Sequence, residues 1–71
     1  MMRQIKAPIT GRVIDVLFVV GDSVAEGDVV AVIESMKLEI PVEADAAGTV
    51  NKVHVDVGSV VGEDAVLFTV S

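Results

Sequence analysis

A lysine set between two large apolar residues, in the run Glu34-Ser35-Met36-Lys37-Leu38, is the one place in this chain where residue types and context point to chemistry. The chemistry open to it is that of an amine nucleophile held where another protein can approach it. Nothing beside it in the sequence offers a base. The other reactive candidates are few. The chain has no cysteine, hence no thiol nucleophile, thiolate metal site or disulfide. The only histidine, His54, falls on the polar side of an alternating run with no triad-like or metal-ligand spacing around it. Asp22, Glu26, Asp28, Glu63 and Asp64 recur beside turn-forming glycines and serines, and they read as turn and surface residues, not paired catalytic carboxylates. The chain is therefore expected to be non-catalytic.

The elements that would position Lys37 come from an internal repeat. Shifting the sequence by 37 positions lays Ala7 on Ala44, Gly11 on Gly48, Val13 on Val50, Val20 on Val57, Gly21 on Gly58 and Val29 on Val66, without a gap. Each copy reads as strand, turn and strand. Val13 to Val20 leads through Gly21-Asp22-Ser23 to Val29 to Ile33, and Val50 to Val57 leads through Gly58-Ser59 to Val66 to Val70. In the second copy Val53, Val55 and Val57 alternate with Lys52, His54 and Asp56, the period of a half-buried strand. Valine dominates the apolar half of the composition, and β-branched side chains favour strands. A unit this small cannot bury its own apolar face, so two copies should close one shared core with quasi-two-fold symmetry. The expectation is an all-β, flattened barrel or sandwich, one domain over residues 1–71.

Lys37 lies where the two copies join. Residues 28 to 43 are too long for one ordinary strand, since strands usually run about 5 to 6 residues. Leu38, Ile40 and Val42 alternate with Glu39, Pro41 and Glu43, which puts a chain reversal near Met36 and Lys37. Yet tight hairpin turns favour Asn, Asp or Gly, and Met-Lys breaks that rule. A rule broken once in a consistent sequence marks a functional constraint. At a hairpin tip Lys37 would project into solvent with Met36 and Leu38 exposed beside it. The residues alone leave a second arrangement open: one long bent strand, with its apolar residues in the core and Lys37 an ordinary surface lysine.

The tripeptide Met36-Lys37-Leu38 preceded by Glu34-Ser35, with Ala7-Pro8, Gly11, Val20-Gly21-Asp22, Gly27, Ile40 to Val42, Gly48 and Gly58 around it, resembles the biotinyl/lipoyl attachment domains of the biotin carboxyl carrier type. The resemblance runs from Lys6 to Val70. It implies a flattened barrel of two four-stranded antiparallel sheets, a barrel-sandwich hybrid, with the modified lysine on the hairpin between halves. It implies covalent biotin on Lys37, with Met36 and Leu38 as recognition flanks and Glu34 and Ser35 completing the motif. It also implies a biotin protein ligase that supplies biotin as an acyl-adenylate for attack by the lysine amine. A biotin carboxylase and a carboxyltransferase would be the partners between which the arm carries a carboxyl group. Two positions depart from the family pattern: Leu38 replaces a methionine and Ser35 an alanine. No insertion falls between Gly11 and Gly27, so the minimal form without a protruding thumb is expected. Lipoate is the alternative cofactor, but lipoyl domains place Asp before the lysine and Ala after it. An unmodified β-hairpin interaction module would be a different class again, and the helical hairpin and signal segment of such adaptors are not in this sequence.

Composition narrows the partners. A net charge of −6 opposes binding to nucleic acid or to anionic membrane, and it favours a monomeric domain. The apolar runs Val16 to Val20 and Val29 to Ile33 are too short to cross a bilayer. With no cysteine and an N-terminal stretch broken by Arg3, Gln4 and Lys6, a cytoplasmic setting is expected.

Overall fold

The computed structural model describes residues 2–71, and over these it contains eight strands and no helix. They are β1 Arg3–Lys6, β2 Gly11–Val16, β3 Ser23–Val24, β4 Val29–Ser35, β5 Leu38–Glu43, β6 Gly48–Val53, β7 Val60–Val61 and β8 Val66–Val70. Two four-stranded antiparallel sheets result, ordered β1-β8-β6-β3 and β5-β4-β2-β7. This is the all-β architecture that the repeat and the resemblance imply.

The 37-residue shift is a physical symmetry. It carries β2 onto β6, β3 onto β7, β4 onto β8 and β1 into β5. Hydrogen bonds obey it too. Gly21 N–H donates to Val50 O (2.9 Å) and Gly58 N–H to Val13 O (2.7 Å). Likewise Ala7 N–H donates to Ala65 O (2.9 Å) and Ala44 N–H to Asp28 O (2.8 Å). Both pairs join one half to the other, and each short strand, β3 or β7, pairs with a strand of the opposite half. Neither half has a complete sheet by itself. Between the sheets lie Ile5, Val13, Val30, Ile33, Val50, Leu67, Phe68 and Val70, all buried. Phe68 and its counterpart Ala31 are both fully buried, so the core's aromatic ring sits on one side of the symmetry only.

Strands end earlier than alternation predicts. The runs expected over Val13 to Val20 and Val50 to Val57 stop at Val16 and Val53, and Ser23, expected in a turn, starts β3. Val53 and Val55 are half-buried, but Val57, expected on the same covered face, is 65% exposed. Beyond each strand the chain leaves the ladder to form a crossing loop. Leu17 N–H still bonds Val30 O and His54 N–H still bonds Leu67 O (2.9 Å each), after which the tight turns at Gly21 and Gly58 follow. These connections, Leu17–Asp22 and His54–Ser59, are equal in length, and no thumb interrupts the first.

The symmetry also places the ends of the molecule. The β4–β5 hairpin root packs against Gly11, and its counterpart, the C-terminal Ser71, packs against Gly48. Arg3 pairs with Val70, so the two chain ends lie side by side. Across a body of 34 × 19 × 18 Å the hairpin and the paired ends form opposite poles.

One symmetric pair differs in residue type where the backbone is left-handed: Gly27 at φ 92° and Asp64 at φ 69°. An added Cβ at Gly27 would meet nothing within 4 Å, so only the backbone sets the cost. Gly27→Val is expected to lower stability in urea unfolding by about 1–2 kcal/mol. Gly27→Asp, which copies the other half, should cost less than about 0.5 kcal/mol because Asp tolerates this conformation through local hydrogen bonds.

Candidate functional site

Lys37 is the second residue of a two-residue hairpin loop. Ser35 pairs with Leu38, Glu34 with Glu39 and Ile33 with Ile40, which leaves Met36 and Lys37 alone at the tip. Their φ values, 53° and 66°, are both left-handed, as in the type I′ turn whose twist matches the flanking strands. The long-strand alternative is thereby excluded. Neither side chain suits the conformation, and each residue carries about 1 kcal/mol of strain. Met36→Asn should relieve it, raising stability in thermal or urea unfolding by up to about 1 kcal/mol. That natural selection has left an ill-suited Met-Lys here is consistent with a constraint on the side chains themselves.

The tip is apolar around a charge. Met36 is 90% exposed and Leu38 66% exposed, and neither packs on the core. Lys37 is exposed and, among the described residues, enters no ion pair. Its amine is thus reachable, with two large apolar side chains on either side of it. Below the tip, Glu34 and Ser35 are half-buried on β4. Glu34 faces Glu39 across the ladder, a like-charge pair that destabilises a sheet. On its other side Arg12 of β2 pairs in register with Glu34, and the Arg12 Nη2 to Glu34 Oε1 distance is 3.5 Å. Both groups are largely solvated, so the pair contributes less than about 1 kcal/mol. It sets a cation beside the Glu34 carboxylate at the hairpin root.

The five residues expected at the site, Glu34, Ser35, Met36, Lys37 and Leu38, are thus brought to one pole. Arg12 and Glu39 were not foreseen. Glu39 could have been found by pairing outward from the reversal, whereas Arg12 reaches the site only through the β2–β4 register.

Of the acidic residues read as turn residues, Asp22 and Asp28 close turns. Their carboxylates accept from Val19 N–H and Ala25 N–H, both at 2.8 Å, before β3 and β4. His54 Nε2, just beyond the end of β6, lies 2.7 Å from Thr69 Oγ1 of β8. Among the described residues no cluster of three or more His, Asp or Glu side chains is arranged to hold a metal ion.

Comparison with known proteins agrees with this geometry. Residues 3–70 match the family model described as biotin-requiring enzyme. The "Biotinylated protein TB7.3 homolog" of Mycobacterium leprae is 46% identical over 61 residues, which cover 86% of each chain. The "Biotin carboxyl carrier protein" of Streptococcus mutans is 38% identical over 65 residues, 92% of this chain and 50% of that protein. Among solved structures, the urea carboxylase of Kluyveromyces lactis superposes with a TM-score of 0.92 at 31% identity, covering 100% of this chain and 6% of that one. The chain therefore spans most of one relative, half of another and a small part of a large carboxylase. A repeated β fold, an exposed lysine at its central hairpin and a family match over almost its whole length lead to one statement: this chain belongs to the biotin/lipoyl attachment domain family.

Proposed function

We propose that this chain is a biotin carrier domain and that Lys37 Nζ is its attachment point, the observation that carries the reading being that amine's exposure on a two-residue turn between Met36 and Leu38. The domain supplies the nucleophile and nothing more. A biotin protein ligase would grip the exposed apolar pair, take up the lysine proton and present biotin as its acyl-adenylate, so that the amine attacks the acyl carbon and AMP leaves as the amide forms. Two strands fix the direction of the lysine stem, while the solvated tip imposes no contact on what is attached. The site fits such a group: among the described residues the amine has no ion-pair partner to lose, and the exposed tip leaves room around it. Bound biotin supplies a ring that accepts a carboxyl group in one active site and yields it in another.

The partners would then be a biotin carboxylase and a carboxyltransferase, and tethering raises the concentration of the carried group at both. Lipoate would occupy the same amine, but the large flanks at 36 and 38 favour the biotin reading. A cytoplasmic setting suits this chemistry.

The test is intact-mass measurement after co-expression with a biotin protein ligase. One biotin per chain is expected. A lipoyl adduct instead, or no adduct, would overturn the assignment. Leu38, where a methionine is usual, gives a finer prediction. Because the two are close in volume, Leu38→Met should leave the rate of biotin attachment within about twofold. Carboxylation kinetics of the loaded domain should shift more, and equal effects on both rates would count against a role for this flank in recognition by the carboxylase.

A further inference from the structure

The two sheets have the same backbone and opposite charge. The strands of the β1-β8-β6-β3 sheet contain Arg3, Lys6 and Lys52 and no acidic residue. The strands of the β5-β4-β2-β7 sheet contain Asp15, Glu34, Glu39 and Glu43, with Arg12 as the one basic residue. The contrast holds position by position. Across the outer face of the first sheet, Gln4 pairs with Thr69 and Thr69 with Lys52. The corresponding row of the second sheet is Pro41, Val32 and Asp15. Lys52 thus stands where its counterpart is Asp15, and by the same shift Lys6 stands where its counterpart is Glu43.

Folding does not ask for this. Both rows satisfy the same ladder, and Lys6, Lys52, Asp15 and Glu43 are all exposed. Among the described residues neither Lys6 nor Lys52 enters an ion pair, although Asp45 lies at the rim of the face beside Gln4 and Lys6, and Glu43 and Asp64 lie beyond Lys6. In a chain with a net charge of −6, a sheet face whose two lysines stand without ion pairs among the described residues is suited to an acidic partner.

We infer that the outer face formed by Gln4, Lys6, Lys52 and Thr69 is a docking surface for an acidic patch on the biotin-carboxylating enzyme that the carrier serves. The inference rests on the carrier reading above. The face belongs to the sheet that does not carry the hairpin, and its strands β1 and β6 start at the pole of the chain ends. Docking there holds the body while Lys37 stays free to move its cargo.

The experiment compares the biotinylated domain with its Lys6→Glu/Lys52→Glu, Lys6→Gln/Lys52→Gln and Asp15→Lys variants as substrates for the biotin carboxylase of the same organism. Thermal unfolding checks that each is folded, and the milder glutamine pair keeps the test open should the reversal not fold. We expect the reversal to raise KM by about tenfold with kcat unchanged, the glutamine pair to raise it less, and Asp15→Lys to leave it unchanged. KM of the unaltered domain should rise with ionic strength, and that rise should flatten in the reversal. Unchanged KM in both lysine variants overturns the inference. So does a matching loss of biotin attachment, which would assign the face to the ligase. Sedimentation showing self-association that the reversal dissolves would assign it to a second copy, and it overturns the inference as well. A domain that takes no biotin at Lys37 in the first place defeats the carrier reading instead, and intact mass reports that separately.

Discussion

Moving the lysine by a single residue should all but abolish biotin attachment while leaving the domain folded. In Met36→Lys/Lys37→Met the tip still bears one exposed amine on the same turn, and composition and net charge are unchanged. The two turn positions nevertheless sit differently on the hairpin, one joined to Ser35 and the other to Leu38. A ligase that orients the amine by gripping both apolar flanks would meet it displaced, with Ser35 on one side in place of a large side chain. Misplacement of a reacting atom by about 1 Å costs on the order of 10²-fold, and we expect the initial rate of attachment to fall by at least about that factor. Lys37→Ala should remove the adduct outright. Lys6 and Lys52 should stay unmodified in it, because both lie on a sheet face and not at a turn. Intact mass and initial rates with purified ligase read all three results, and a biotin adduct persisting in Lys37→Ala would displace the site.

The second large effect comes from two glycines that symmetry makes equivalent and function does not. A Cβ on Gly11 would lie 2.5 Å from Glu34 O and 2.6 Å from Ile33 Cγ2, and one on Gly48 would collide in the same way with Ser71 O and Val70 Cγ1. Two of these neighbours are backbone carbonyls of ordered chain segments, so the chain must shift to make room. Gly11→Ala and Gly48→Ala should each destabilise by about 3 kcal/mol. That is a large part of the roughly 5 to 10 kcal/mol expected of a domain this size. Urea unfolding should show the two losses to be similar. Attachment should tell them apart. Gly11 presses on the hairpin root beside Arg12 and Glu34, so its variant should load biotin more slowly even at temperatures where it is fully folded. Gly48 presses on the far pole, so its variant should load normally once folded. Equal slowing in both would mean that global stability, and not the seating of the hairpin, controls modification.

Much of this architecture was legible in the chain. The 37-residue shift is readable because both halves must solve the same steric problems, such as the glycines at 11 and 48 and at 21 and 58. The reversal at Met36-Lys37 followed from strand length together with the alternation that restarts at Leu38. What alternation could not give was where strands stop. Leu17 to Val20 and His54 to Val57 keep much of the apolar composition of a strand, but the chain there turns out of the sheet to cross to the other half. The strand β1 was hidden because Arg3-Gln4-Ile5-Lys6 has one apolar residue, and its pairing with β8 supplies what its composition lacks. The two-residue strands β3 and β7 are too short to show any period. At the site, the exposure of Met36 and Leu38 was foreseeable, while the Arg12 contact and the separation of charge between the sheets depend on register across strands distant in sequence.

Because Arg3 and Val70 are paired neighbours on adjacent strands, the polypeptide enters and leaves through the same doorway, at the far end from Lys37. A longer protein could therefore accept this fold as an insert or as an appendage without bending it or re-aiming its reactive amine. Architectures as different in scale as a small biotinylated protein, most of which this chain spans, and a urea carboxylase, of which it matches 6%, can share such a unit for that reason. Evolution could transplant it as one piece, and the surrounding enzyme would need to adjust only the leash.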